Sequence, residues 1–175
     1  MHLRNEQYKQ QHPPILTHKN SEHHTSATEP ASAMSDSKEI FAACENKRWP
    51  EVLQRVKDNP ELAKAKDGYG RLPLHVALMK QPPLHVVQCL HQAYPAGVKV
   101  KNKCEMLPLH RAAANHPSLA VVTFLWRQYP EAVTVKGLCG NLPKDIYRSN
   151  GGSDADIIAL LEHATNGKAE RMGCC

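Results

Sequence analysis

A repeat of 35 residues limits how this chain can fold more than any other feature. Leu72-Pro73-Leu74-His75 recurs as Leu107-Pro108-Leu109-His110 and, altered, as Leu142-Pro143-Lys144-Asp145, each step being 35. Tyr94-Pro95 recurs as Tyr129-Pro130, with Asn59-Pro60 one step earlier. Gly70, Glu105 and Gly140 share a column, and Val52, Val87, Val122 and Ile157 share another. Six of the 13 prolines lie in the Leu-Pro and Tyr-Pro columns, so the breaks in the chain repeat along with its apolar pattern. Four ungapped copies run 37–71, 72–106, 107–141 and 142–167. A unit this short cannot bury an apolar face alone, so neighbouring copies must stack.

Each copy reads as two helices and a finger. Pro108 suits the first turn of a helix, where a missing N–H costs nothing. Leu109, Ala112 and Ala113 then form an apolar stripe at i, i+3, i+4. Asn115-His116-Pro117 breaks the chain, and a second helix carries Leu119, Val122, Phe124, Leu125 and Trp126 toward Tyr129-Pro130. The equivalent breaks are Arg48-Trp49-Pro50, Gln81-Pro82-Pro83 and Asn150-Gly151-Gly152. In the last copy Ser153-x-x-Asp156 has the form of a capping box, and Asn166-Gly167 forms a stop signal. Ala63 to Gly68, Val98 to Asn102 and Val133 to Gly137 alternate apolar and polar residues. Alternation predicts extended fingers with apolar side chains inward and Lys outward, closed by the turn chemistry of Asp67-Gly68 and Asn102.

Residues 1–36 differ in composition. Only nine of the 36 are apolar, without helical or strand period, so this segment is expected to be a disordered tail. Its His2, His12, His18, His23 and His24 sit in no helical i, i+4 frame and read as a polar tail rather than a metal site. Met34 precedes the first apolar pattern and is a candidate translation start. No apolar h-region opens the chain, and the longest nearly apolar run, Leu119 to Trp126, is far below the roughly 20 residues of a membrane span. A cytoplasmic or nuclear location is expected, with Cys44, Cys89, Cys104, Cys139, Cys174 and Cys175 reduced. Residues 168–175 read as a short C-terminal tail.

The Leu-Pro-Leu-His-x-Ala strings at 72–77 and 107–112 resemble the ankyrin signature Thr-Pro-Leu-His-x-Ala, and Asp67-x-x-Gly70 resembles that family's finger turn. The likeness covers about four repeats. Leu72 and Leu107 replace the usual Thr, the period is 35 rather than 33, and the first and last copies are atypical, as the ends of a stack facing water must be. The resemblance implies an all-α, helix-turn-helix solenoid with projecting fingers. It also implies a concave face of fingers and first helices that binds a protein, and a structural hydrogen-bonding role for His75 and His110.

Charge supplies the candidate site. Residues 37–141 carry fifteen Lys or Arg against eight Asp or Glu, a net +7, whereas the flanking segments are each near −1. Lys64 and Lys99 share one finger column, and Lys66, Lys101 and Lys136 the next; Arg71 and Lys103 flank them. These seven residues predict a basic strip for an acidic protein partner. No aromatic side chains interleave with them, which argues against a single-stranded nucleic-acid platform. The sequence lacks a phosphate-binding Gly-Lys-Ser/Thr loop, a nucleophile elbow and a paired-His zinc helix. A non-enzymatic, monomeric interaction module without cofactor or metal is therefore expected. The alternative is a membrane-associated adaptor lipidated at Cys174 or Cys175 that meets an anionic surface through the finger lysines.

Overall fold

A computed structural model of the chain describes residues 31–137 and 139–163. Among these residues the regular structure is wholly helical, and no helix is long and apolar enough to cross a membrane. Eight α-helices come in pairs: α1 (Ala31–Glu45) with α2 (Trp49–Asp58), α3 (Pro73–Leu78) with α4 (Leu84–Ala93), α5 (Pro108–Ala114) with α6 (Leu119–Gln128), and α7 (Pro143–Ser149) with α8 (Ala155–His163). A short 3₁₀ helix leaves each of the first three pairs: η1 (Pro60–Lys64), η2 (Pro95–Lys99) and η3 (Pro130–Thr134).

Prolines set the helix starts. Pro73, Pro108 and Pro143 open α3, α5 and α7, each after a leucine held in extended backbone, the conformation that a following proline enforces. The breaks between paired helices turn through the left-handed region at Gln81, His116 and Gly151, one column of the 35-residue period. Side chains join these breaks across copies. Gln81 Nε2 donates to the Asn115 carbonyl at 2.8 Å, and Asn150 Nδ2 to the Ala114 carbonyl at 2.9 Å.

The pairs stack in chain order. First helices form one row, α1 on α3, α3 on α5 and α5 on α7, and second helices form the other, α2 on α4, α4 on α6 and α6 on α8. The repeating columns supply the core: Val52, Val87, Val122 and Ile157 are all buried, as are Leu74 with Leu109 and Ala77 with Ala112. Burying each of these Val, Leu and Ile side chains contributes about 1.5–3 kcal/mol. In copy one, Arg55 ties α2 to α1 by pairing with Glu39, and within α2 it pairs with Glu51 at 2.9 Å.

Four expectations need correction. The tail boundary at residue 36 falls inside α1, which begins at Ala31. In copy one, Trp49 and Pro50 belong to α2 rather than to the break before it. The fingers are not extended throughout: Ala63-Lys64, Val98-Lys99 and Val133-Thr134 end the 3₁₀ helices. Pro60, Pro95 and Pro130 hold the first φ angle of each of these turns near its helical value. Val98 and Val133 are still buried and Lys99 exposed, because a tight turn can separate inward from outward residues as an extended segment does. Finally, Asp154 caps α8 in place of Ser153. Its Oδ1 accepts from the N–H groups of Asp156 at 3.0 Å and Ile157 at 3.1 Å. The expected stop at Asn166-Gly167 lies outside the described residues.

Candidate interaction face

The first two fingers each close on one side chain, whereas Gly137 holds the third through backbone bonds alone. Asp67 Oδ1 accepts from the N–H groups of Tyr69 at 2.9 Å and Arg71 at 2.8 Å, and Oδ2 accepts from Arg71 Nε at 2.6 Å. Burial pushes the Asp67 carboxyl pKa up, but these hydrogen bonds outweigh it and hold the group below its ordinary value. In the second finger Asn102 Oδ1 takes the same place, accepting from Cys104 N–H at 2.8 Å and Met106 N–H at 3.1 Å. The fourth residue of each turn has positive φ: Gly70 at 69°, Glu105 at 54° and Gly140 at 75°.

The Leu-Pro-Leu-His strings lock the fingers to the helices. Leu72, Pro73, Leu74 and His75, and likewise Leu107, Pro108, Leu109 and His110, are buried at the heads of α3 and α5. Leu72 N–H donates to His75 Nδ1 at 3.2 Å, so Nε2 carries the proton and donates to the Met106 carbonyl at 3.2 Å in the next finger. His110 repeats this with Leu107 N–H at 3.2 Å and the Val135 carbonyl at 2.9 Å. Burial pushes the His75 pKa down to about 4 and lowers that of His110. In copy four Asp145 accepts from Leu142 N–H at 3.2 Å, keeping the cap. A carboxylate cannot donate onward to a finger.

The seven basic candidates lie along the fingers, and most are already engaged. Lys64 pairs with Glu61 at 2.7 Å and Lys101 with Glu105 at 3.0 Å. Arg71 pairs with Asp67 at 2.6 Å and Glu45 at 3.7 Å. Lys99 Nζ sits 5.3 Å above the Tyr129 ring. Lys103 binds the first finger twice: its N–H donates to the Tyr69 carbonyl at 3.0 Å and its Nζ to the Gly68 carbonyl at 2.7 Å. Lys66 and Lys136 are exposed and make no ion pair among the described residues. The strip is therefore three ion-paired side chains, two held by a ring and a carbonyl, and two free ones.

Sequence reasoning missed the most exposed aromatic group among the described residues. Tyr69, at the tip of the first finger, is 66% exposed, and the Arg71 guanidinium lies 4.9 Å from its ring centroid. A Gly-Tyr-Gly turn was the available signal. Such a turn has no apolar neighbours to cover the ring.

Cys44 is buried, which pushes its thiol pKa up to about 12, with Glu45 adding to the shift; a thiol so held is inert at neutral pH. Cys89, Cys104 and Cys139 are free. His91 stacks edge-on against Phe124 at 5.4 Å and His116 against Tyr147 at 6.2 Å. Among the described residues no group of three His, Cys, Asp or Glu is placed to hold a metal ion. His2, His12, His18, His23, His24, Cys174 and Cys175 lie outside those residues. No protein-family model matches the chain, and neither does any curated protein.

Proposed function

We propose that this chain is an ankyrin-like repeat protein, a non-enzymatic adaptor that binds an acidic protein partner through its fingers and first helices. The observation that carries the reading is Tyr69: a large aromatic ring left in solvent at a finger tip, with Arg71 against it and Lys66 nearby in sequence. Tyr and Arg are the residue types that most often dominate binding energy at protein interfaces. Tyr also gives up few rotatable bonds on docking. Support for the ankyrin-like part is the 35-residue period carried into stacked helix pairs joined by hydrogen-bonded fingers.

The test uses the full chain and a partner captured from the native cell. Tyr69→Ala should speed dissociation. Lys66→Glu with Lys101→Glu and Lys136→Glu should slow association and flatten its salt dependence, because charge steering acts chiefly on the on-rate. Surface plasmon resonance at low and high salt separates the two effects. Wild-type kinetics in both variants would place the contact elsewhere on the molecule and defeat this reading.

A further inference from the structure

A groove of about 790 Å³ opens at the start of the stack, between α1 and the first finger. Ser37, Phe41 and Ala42 form one wall, and Leu62, Ala65 and Gly68 the other. A shift of one period shows what belongs there. The residues of α3 equivalent to Ser37, Phe41 and Ala42 are Leu72, Val76 and Ala77, and these are 1%, 1% and 0% exposed. In that copy the first finger lies against the second, and Lys103 N–H donates to the Tyr69 carbonyl. The contact is close: a Cβ on Gly70 would meet the Lys103 backbone nitrogen at 3.3 Å.

Copy one has no such finger. Its preceding residues continue as helix back to Ala31, so Phe41 and Ala42 stay half-buried. Gly68 stands in the column of Lys103, and its N–H has no partner among the described residues. The open position therefore calls for a short apolar segment that offers a carbonyl.

We propose that Pro13-Pro14-Ile15-Leu16 of this same chain occupies the groove, in place of the missing finger, with a proline carbonyl accepting from Gly68 N–H. These four residues are the longest uncharged apolar run among the first 30. Three lysines and three carboxylates balance around the groove, so it holds no net attraction for a charged occupant. A proline pair favours the extended polyproline conformation and offers acceptors only, which matches an edge whose unmet group is a donor.

Chain length fits as well. Residues 17–30 make a 14-residue connection to Ala31. A flexible chain of that length spans about 20 Å on average, against about 15 Å along α1 from Ala31 to Phe41. Effective concentration is highest when connector and span match in this way. The segment read as a tail thereby gains one anchoring point.

Hydrogen–deuterium exchange of the full chain, followed by mass spectrometry at two protein concentrations, tests the proposal. The amides of Ile15 and Leu16 should exchange about tenfold more slowly than unstructured peptide. In the double variant Ile15→Asp, Leu16→Asp that protection should vanish, and exchange at Gly68 should speed up by a similar factor. Unprotected amides in the wild type overturn the proposal. So does protection without any response at Gly68, which places the segment elsewhere. Protection that grows with protein concentration, together with a dimer in sedimentation, overturns it in favour of a second copy filling the groove.

Discussion

His75 joins two copies of the repeat through Met106. Its Nε2 lies 3.2 Å from a carbonyl 31 residues further along the chain, while Nδ1 takes up the N–H of Leu72. Both bonds need neutral imidazole: a proton on Nδ1 would face a donor, and burial denies the cation its water. His110 makes the same junction one copy later with Leu107 and Val135.

Stability should therefore fall with acid in a defined window. With the His75 pKa lowered to about 4 in the fold and near 6.5 unfolded, only the unfolded chain binds the proton between these values. The stabilisation is complete above about pH 6.5 and is lost as pH falls toward 4, a loss of about 3 kcal/mol from His75. His110 acts in the same direction. The lowered Asp67 pKa adds a further loss at still lower pH, because its stabilisation disappears as the carboxylate protonates. Urea unfolding across this range should show a steep pH dependence that weakens in His75→Asn. A midpoint flat with pH refutes the account.

Glu105→Gly should stabilise the protein. Glu105 holds φ at 54° in a column where the other two copies have glycine, and the left-handed region costs a side chain about 1–2 kcal/mol. The lost pair with exposed Lys101 returns about 0–1 kcal/mol. A net gain of about 1 kcal/mol should raise the thermal midpoint by several degrees. An unchanged or lower midpoint contradicts the strain.

Gly152→Ala should destabilise by about 1–3 kcal/mol. An added Cβ would lie 2.5 Å from the Tyr147 ring. That ring is 3% exposed and cannot swing aside, and its hydroxyl accepts from Asp154 N–H at 3.3 Å. The same substitution in a Tyr147→Leu background should cost clearly less. Equal costs in the two backgrounds would remove the ring as the cause.

Leu109→Asp should unfold the protein, whereas Lys99→Asp should leave it folded. Leu109 is 2% exposed, and an unpaired buried carboxylate costs several kcal/mol against a total stability of about 5–15 kcal/mol. Lys99 is exposed, and its loss forfeits the Tyr129 ring contact, worth about 0.5–1 kcal/mol at an exposed site. Circular-dichroism melts decide it; a folded Leu109→Asp would mean that the inward face is misassigned.

Much of this architecture was legible in the sequence because it depends on neighbours in the chain. Proline at a helix start, the inward Val98 and outward Lys99 of a finger, and the shared turn column of Gly70, Glu105 and Gly140 follow from residue type and local backbone preferences. A 35-residue period lets each inference be checked against its copies. Tertiary structure decided what depends on residues about one period apart. Lys103 reads as a free finger lysine until the Gly68 carbonyl of the preceding finger is placed against it, 35 residues back. Asp154 displaces Ser153 as a cap because backbone direction, not residue type, selects which oxygen meets the free N–H groups of α8. Tyr69 is exposed because its Gly-Tyr-Gly turn brings no apolar neighbour to the ring, and Phe41 and Ala42 are half-buried where the chain before them stays helical. A repeating sequence specifies the contacts between copies; at the ends of the stack no further copy supplies them among the described residues, and only the folded geometry shows which side chains are left open.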